Sequence, residues 1–236
     1  MNDSKVKAEA EATSKSIYIK VMEDGPYLVY GQPPIREQII VFNEDGNSWD
    51  YREGKNYDSS ENPCYLCRCG RTTDKPFCSG AHLNKKWDST ETAALDSHFD
   101  DAEQIEGPAL ILADNEILCA FARFCDAKGQ IWNIVEHAKT PEEIELAKRE
   151  AGLCPGGRLV IFDKEKGEIY EPDFEPSIGL IEDPGLKVSG PIWVRGGIRI
   201  ENADGNSYEI RNRVALCRCG KSSNKPFCNG AHASKK

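Results

Sequence analysis

A sixteen-residue stretch occurs twice in this chain of 236 residues and restricts its fold more than any other feature. The first copy reads Cys67-Arg-Cys-Gly-Arg-Thr-Thr-Asp-Lys-Pro-Phe-Cys-Ser-Gly-Ala-His82, and the second reads Cys217-Arg-Cys-Gly-Lys-Ser-Ser-Asn-Lys-Pro-Phe-Cys-Asn-Gly-Ala-His232. Eleven positions are identical, at a constant offset of 150. Each copy supplies three thiols and one imidazole: Cys67, Cys69, Cys78 and His82, then Cys217, Cys219, Cys228 and His232. Soft ligands packed this densely predict two metal sites.

The spacing suggests how each loop grips. Side-chain alternation in an extended segment puts Cys67 and Cys69 on one side. Cys78 and His82 have the i, i+4 spacing of one helical face, so a helix is expected to open near Cys78, after Pro76. Its free N–H groups would favour thiolate charge. Gly70 and Gly80 let the backbone approach a bulky inorganic group. Lys75 and Lys225 either offset the charge of such a group or stand in solvent. Three thiolates and one imidazole suit zinc as well as an iron–sulfur cluster, and ligand type leaves both open.

Composition narrows the setting. The net charge of −9 disfavours a nucleic-acid backbone as partner. No apolar run reaches the ~20 residues that span a bilayer. The polar start, Met1-Asn-Asp-Ser, lacks the apolar core of a signal peptide, so the expectation is a cytoplasmic protein. In a reducing compartment, ten cysteines are better explained by metal or redox centres than by a disulfide scaffold. No Ser-His-Asp arrangement, P-loop or Gly-x-Gly-x-x-Gly occurs, so no enzyme activity is expected.

Residues 1–16 read as a disordered tail. Strand-like runs follow at Ile17–Val21, Tyr27–Val29 and Ile39–Phe42, with a turn at Asp45-Gly46 before Trp49. Gly25-Pro26 and Gly190-Pro191, and then Asp45-Gly-Asn-Ser48 and Asp204-Gly-Asn-Ser207, extend the repeat upstream of the cysteines. This marks an internal duplication, with a first unit at 17–83 and a second at 183–236. Residues 84–106 read as a surface connector carrying a solvated His98. A separate module is expected at 107–182, with strands at Ala109–Leu112 and Arg158–Phe162. Between them, Thr140-Pro-Glu-Glu143 starts a helix through a capping box with proline at its first position; Gly152 ends it. Cys119, Cys125 and Cys154 surround this strand-helix-strand layout. Cys64 has no counterpart in the second copy, where Val214 stands, and reads as a spare thiol.

Cys-x-Cys, then Lys-Pro-Phe-Cys-x-Gly-Ala-His, resembles the CDGSH iron–sulfur domain of the mitoNEET-like (NEET) family. The resemblance implies a [2Fe–2S] cluster in each copy. Cys67 and Cys69 would hold one iron, with Cys78 and His82 on the other; Cys217 and Cys219, then Cys228 and His232, would do the same in the second copy. The family's aspartate after the third cysteine is Ser79 here and Asn229 in the second copy, and the following serine is Ala81 and Ala231. A carboxylate that would tune the cluster is therefore missing. Cys119-x5-Cys125 with Cys154-Pro155 is similar to divergent ferredoxin-like single-cluster domains, although Phe121 and Gly156 depart from the pattern. Three thiolates there would suit an additional [3Fe–4S] or [4Fe–4S] cluster; the bland reading is three buried small residues.

These readings combine into an α+β protein with two duplicated small β-rich CDGSH iron–sulfur units flanking a small ferredoxin-like α+β module. Replacing a thiolate by neutral imidazole raises a cluster's potential, which fits electron transfer with redox protein partners. Cluster storage, transfer to acceptor proteins and redox sensing are the alternatives, with a structural zinc module less favoured. NEET proteins are commonly dimers, so a chain with two copies is expected to fold as a monomeric pseudo-dimer.

Overall fold

The computed structural model describes residues 17–58, 60–84 and 86–234, so the tail read at 1–16 lies outside the described residues. Among the described residues, thirteen strands and two α-helices give a mostly β protein of the α+β class. The strands fall into three sheets.

The first sheet has the order β12 (Arg199–Glu201), β1 (Tyr18–Val21), β2 (Tyr27–Tyr30), β5 (Cys64–Leu66). The second has the order β13 (Arg213–Leu216), β11 (Val188–Arg195), β10 (Ser177–Asp183), β3 (Ile35–Phe42), β4 (Ser48–Tyr57). Each mixes strands from both ends of the chain. β1 runs parallel to β12, with Ile19 opposite Ile200, and β3 runs parallel to β10, with Ile35 opposite Ile178. Alternation explains the packing. Ile19, Val21, Tyr27 and Val29 point inward from the first sheet, where they meet Ile178, Leu180, Ile192 and Val194 of the second in one core.

The third sheet is β6 (Glu103–Glu106), β7 (Leu110–Asp114), β8 (Leu159–Asp163), β9 (Glu168–Tyr170). Helices α1 (Ile131–His137) and α2 (Pro141–Gly152) cover it, burying Ile131, Val135, Ala147 and Ala151 against Leu110, Leu112, Leu159 and Ile161. The capping box forms: Glu143 N–H donates to Thr140 Oγ1 at 3.3 Å, and Glu143 Oε2 accepts from Thr140 N–H at 3.0 Å. This module also covers the outer face of the second sheet, where Phe124 and Ala122 pack with Ile40, Ile181 and Trp193. β11 is therefore buried on both faces over Gly190–Val194, and its sequence is accordingly apolar without alternation.

Three sequence expectations change. The segment read as a surface connector contributes β6 to the third sheet, pairing Ile105 with Leu112. His98, expected in solvent, is buried, with Nε2 2.9 Å from the Arg158 carbonyl and its backbone N–H donating to Glu209 at 2.7 Å. β10 runs through the position 182/183 where the central module was expected to end, and it pairs with β3 and β11 instead. Its partners are distant in sequence, so no local signal assigns it to a sheet.

Candidate metal centres

Both repeated loops are closed by the same hydrogen bonds. Cys67 N–H donates to the Pro76 carbonyl at 2.9 Å and Cys78 N–H to the Tyr65 carbonyl at 2.8 Å. Cys217 N–H to Pro226 and Cys228 N–H to Ala215, both 2.8 Å, repeat the arrangement. Inside each loop a hydroxyl braces the turn: Thr72 to the Phe77 carbonyl and Ser222 to the Phe227 carbonyl, each 2.7 Å.

The thiols and imidazoles gather in pairs. Cys67 and Cys69 sulfurs are 3.6 Å apart, and Cys217 and Cys219 sulfurs 3.8 Å. Cys78 Sγ lies 3.5 Å from His82 Nδ1, as Cys228 Sγ does from His232 Nδ1. A tetrahedral metal with thiolates at ~2.3 Å and imidazole nitrogen at ~2.0 Å sets its ligands about 3.7 Å (S···S) and about 3.5 Å (S···N) apart. Each pair thus has the bite of one metal ion. Among the described residues, no three His, Cys, Asp or Glu side chains gather around a single ion position.

The local geometry corrects the expected helix. Cys78 and His82 are joined by a turn that ends in a short 3-10 segment, Ala81–Asn84, not by an α-helix. A backbone N–H still reaches the thiol: Gly80 to Cys78 Sγ and Gly230 to Cys228 Sγ, both 3.4 Å. Ser79 and Asn229 serve the loops themselves. Ser79 Oγ accepts from Thr73 N–H at 3.3 Å, and Asn229 donates to Ser223 Oγ at 2.7 Å.

The two loops meet back to back. Cys69 and Cys219 form an antiparallel backbone bridge, and a Cβ on Gly70 would stand 2.5 Å from the Cys219 carbonyl oxygen. Gly220 stands against Cys69 in the same way, at 2.7 Å, so side chains at 70 and 220 would force the loops apart. Arg218, between two of the second loop's cysteines, lines a cavity of roughly 130 Å³ shared with Cys67, Gly70, Lys75 and Cys219.

Electrostatics separates the second loop's groups. Burial pushes the Cys228 thiol up to about 12 and holds His232 down to about 4. Cys217 is pulled down to about 6 by the Cys219 thiol that donates to it and by the N–H groups of Ser222, Gly220 and Cys219. Cys219 is pushed up in turn. A cation bound there would offset the cost of burying thiolate charge.

Cys119, Cys125 and Cys154 converge on one small cavity with Arg158 and Phe121. Phe121 and Arg123 both have left-handed backbones, φ 55° and 64°, which coil the Cys119–Cys125 loop around that space. Burial, with Asp126 and the neighbouring thiols, pushes Cys125 up to about 12. His137 lies elsewhere, exposed, with Nδ1 2.9 Å from the Asn133 carbonyl. Cys64 is buried in β5 against the main core. None of the ten cysteines forms a disulfide.

Residues 24–83 and 189–233 match the family model described as iron-binding zinc finger, CDGSH type, and residues 105–164 match the divergent 4Fe-4S mono-cluster model. The chain is a tandem CDGSH-type protein with a divergent iron–sulfur domain at its centre. Comparison with curated proteins and with solved structures gives no match. The central match takes in the end of β6 and all three central cysteines of this iron–sulfur protein. Among its described residues, no helix is long and apolar enough to cross a membrane.

Arg213 escaped the sequence reading. Its guanidinium, 1% exposed, donates to the carbonyls of Ala151, Cys154 and Leu159 and pairs with Glu171 at 2.7 Å, tying the central module to β13. A lone arginine before an apolar run carries no signal of four distant partners.

Proposed function

We propose that this tandem CDGSH protein is a non-enzymatic electron carrier holding a [2Fe–2S] cluster in each repeated loop through three cysteines and one histidine. The observation that carries the reading is the pairing of ligands. Cys67 with Cys69 and Cys78 with His82 each have the bite of one metal, so the loop suits a two-metal centre better than one zinc ion. Cys217 with Cys219 and Cys228 with His232 repeat this. Cys119, Cys125 and Cys154 would hold a third cluster, of [3Fe–4S] or [4Fe–4S] type.

Iron–sulfur clusters accept and release single electrons. The chain's own part is to hold three ligand sets in series. The backbones of Cys69 and Cys219 bridge the two loops. At the other side, a Cβ on Gly230 would lie 3.2 Å from the Cys119 carbonyl, so the central loop touches the second. The sheets that share strands from both units support the reading of the chain as its own dimer, with a monomer expected in solution. Redox proteins are the expected partners, in the cytoplasm. A second reading, delivery of a cluster to acceptor proteins, is favoured by the partial exposure of Cys78 and His82.

Iron, sulfide and zinc per chain, with EPR of oxidised and reduced protein, test this. Two [2Fe–2S] clusters give about four irons, and a central cluster raises this to about seven or eight. A colourless protein with stoichiometric zinc refutes it.

A further inference from the structure

Resting on that cluster reading, we infer that the two repeated loops do different jobs: the first, the less covered, is an exchange site, and the second, overlaid by other parts of the chain, is a retained station.

Four observations distinguish the copies. Residues 88–93 form a strap across the second loop only. Thr92 and Ala93 N–H donate to the Lys225 carbonyl at 2.8 and 2.9 Å, Thr92 Oγ1 donates to the Ser223 carbonyl at 2.7 Å, and Lys225 Nζ pairs with Asp88 at 3.4 Å. Glu91 anchors the strap on the far side, accepting from Ala203 N–H at 2.9 Å and the Tyr208 hydroxyl at 3.0 Å.

Tyr27 also reaches across from the first unit, its hydroxyl 2.8 Å from the Cys217 carbonyl and 3.0 Å from that of Pro226. The repeat puts Ile192 at the matching position, which has no donor to offer the first loop. The central loop then closes the outer pair. A Cβ on Gly230 would meet Phe121 Cβ at 3.1 Å, whereas one on Gly80 would find nothing nearer than Leu83 at 3.9 Å. Burial follows: Cys228 is 3% exposed and Lys225 5%, while Cys78 is half-buried and Lys75 exposed. Cys219, half-open toward the cavity it shares with Cys67, and His232, part-exposed as His82 is, are the exceptions.

One of the five differences between the copies follows this division. Asp74 is exposed, whereas its counterpart under the strap is Asn224, 5% exposed, so no carboxylate is buried. The strap itself lies in the inter-unit segment, outside the repeat.

The test uses the full chain as isolated, challenged with excess EDTA while visible absorbance and released iron are followed. Iron is first measured in the parent, Cys78→Ser and Cys228→Ser; unchanged iron in both variants overturns the cluster reading itself. With both loops loaded, the decay should have separate phases, the fastest missing from Cys78→Ser and a slower one from Cys228→Ser. Thr92→Pro, which removes an N–H donor and the hydroxyl, should speed the slower phase by roughly tenfold and leave the fastest unchanged. If Thr92→Pro does not fold, Thr92→Ala keeps the N–H and should speed that phase by roughly threefold. Equal loss from both loops, a fastest phase missing from Cys228→Ser, or equal acceleration of both phases overturns the inference.

Discussion

Replacing Arg213 by methionine should unfasten the central module from the second CDGSH unit. Methionine keeps much of the bulk and removes every donor. The loss strands the Ala151, Cys154 and Leu159 carbonyls and leaves Glu171 without its 2.7 Å partner. Breaking a buried ion pair on one side costs ~3–5 kcal/mol. Glu171 is 30% exposed, so water recovers part of this, and ~3 kcal/mol is the working figure. For a chain of this size each kcal/mol moves the midpoint by ~2–4 °C, so the apparent Tm should fall by about 6–12 °C. Thermal melts at one scan rate, followed by far-ultraviolet circular dichroism and by visible absorbance, read the change. Cys154 loses a hydrogen bond directly, so the absorbance of the proposed central cluster should go first. A variant melting within about 2 °C of the parent refutes the argument.

Further outcomes follow from single groups. Glu150 is 1% exposed, accepts one 3.0 Å bond from Lys128 N–H, and burial pushes its carboxyl up to about 7. Between ~pH 4.3 and that value the folded chain holds a proton that the unfolded chain has lost, so stability falls as pH rises and levels off above. Glu150→Gln should therefore stabilise by about 1–3 kcal/mol at pH 8 and much less at pH 5; an equal gain at both pH values in urea melts contradicts the assignment. Tyr27→Phe removes the donor shared by the Cys217 and Pro226 carbonyls and should cost about 1–3 kcal/mol in the same melts, with no change indicating that water replaces it. Gly80→Ala and Gly230→Ala share the left-handed strain, φ 73° and 78°, but only alanine at 230 meets Phe121. The second should be worse by about 1 kcal/mol or more, and equal losses would show that the central loop yields.

Some of this was legible in the residues alone. The two repeated loops could be read because their chemistry is local: thiols, imidazole, glycine and proline within sixteen residues predict a closed turn that gathers those side chains. The helix at Pro141 was legible for the same reason, since Thr140 and Glu143 cap it from three residues away. The expected helix at Cys78 was not right, because i, i+4 spacing is also met by a turn closed through Cys78 N–H and the Tyr65 carbonyl.

What separates the two copies was invisible in their near-identical sequences. Residues 88–93 are polar and unpatterned, and only the fold lays them on Lys225. Parallel pairing of β1 with β12 and of β3 with β10 joins segments more than 140 residues apart, which no window of sequence encodes. The sequence by itself determined which thiols and imidazoles pair in each loop, because those atoms are near neighbours along the chain. Tertiary structure alone decided which loop is covered, because a strap, a tyrosine hydroxyl and the Cys119–Phe121 segment arrive there from elsewhere in the chain.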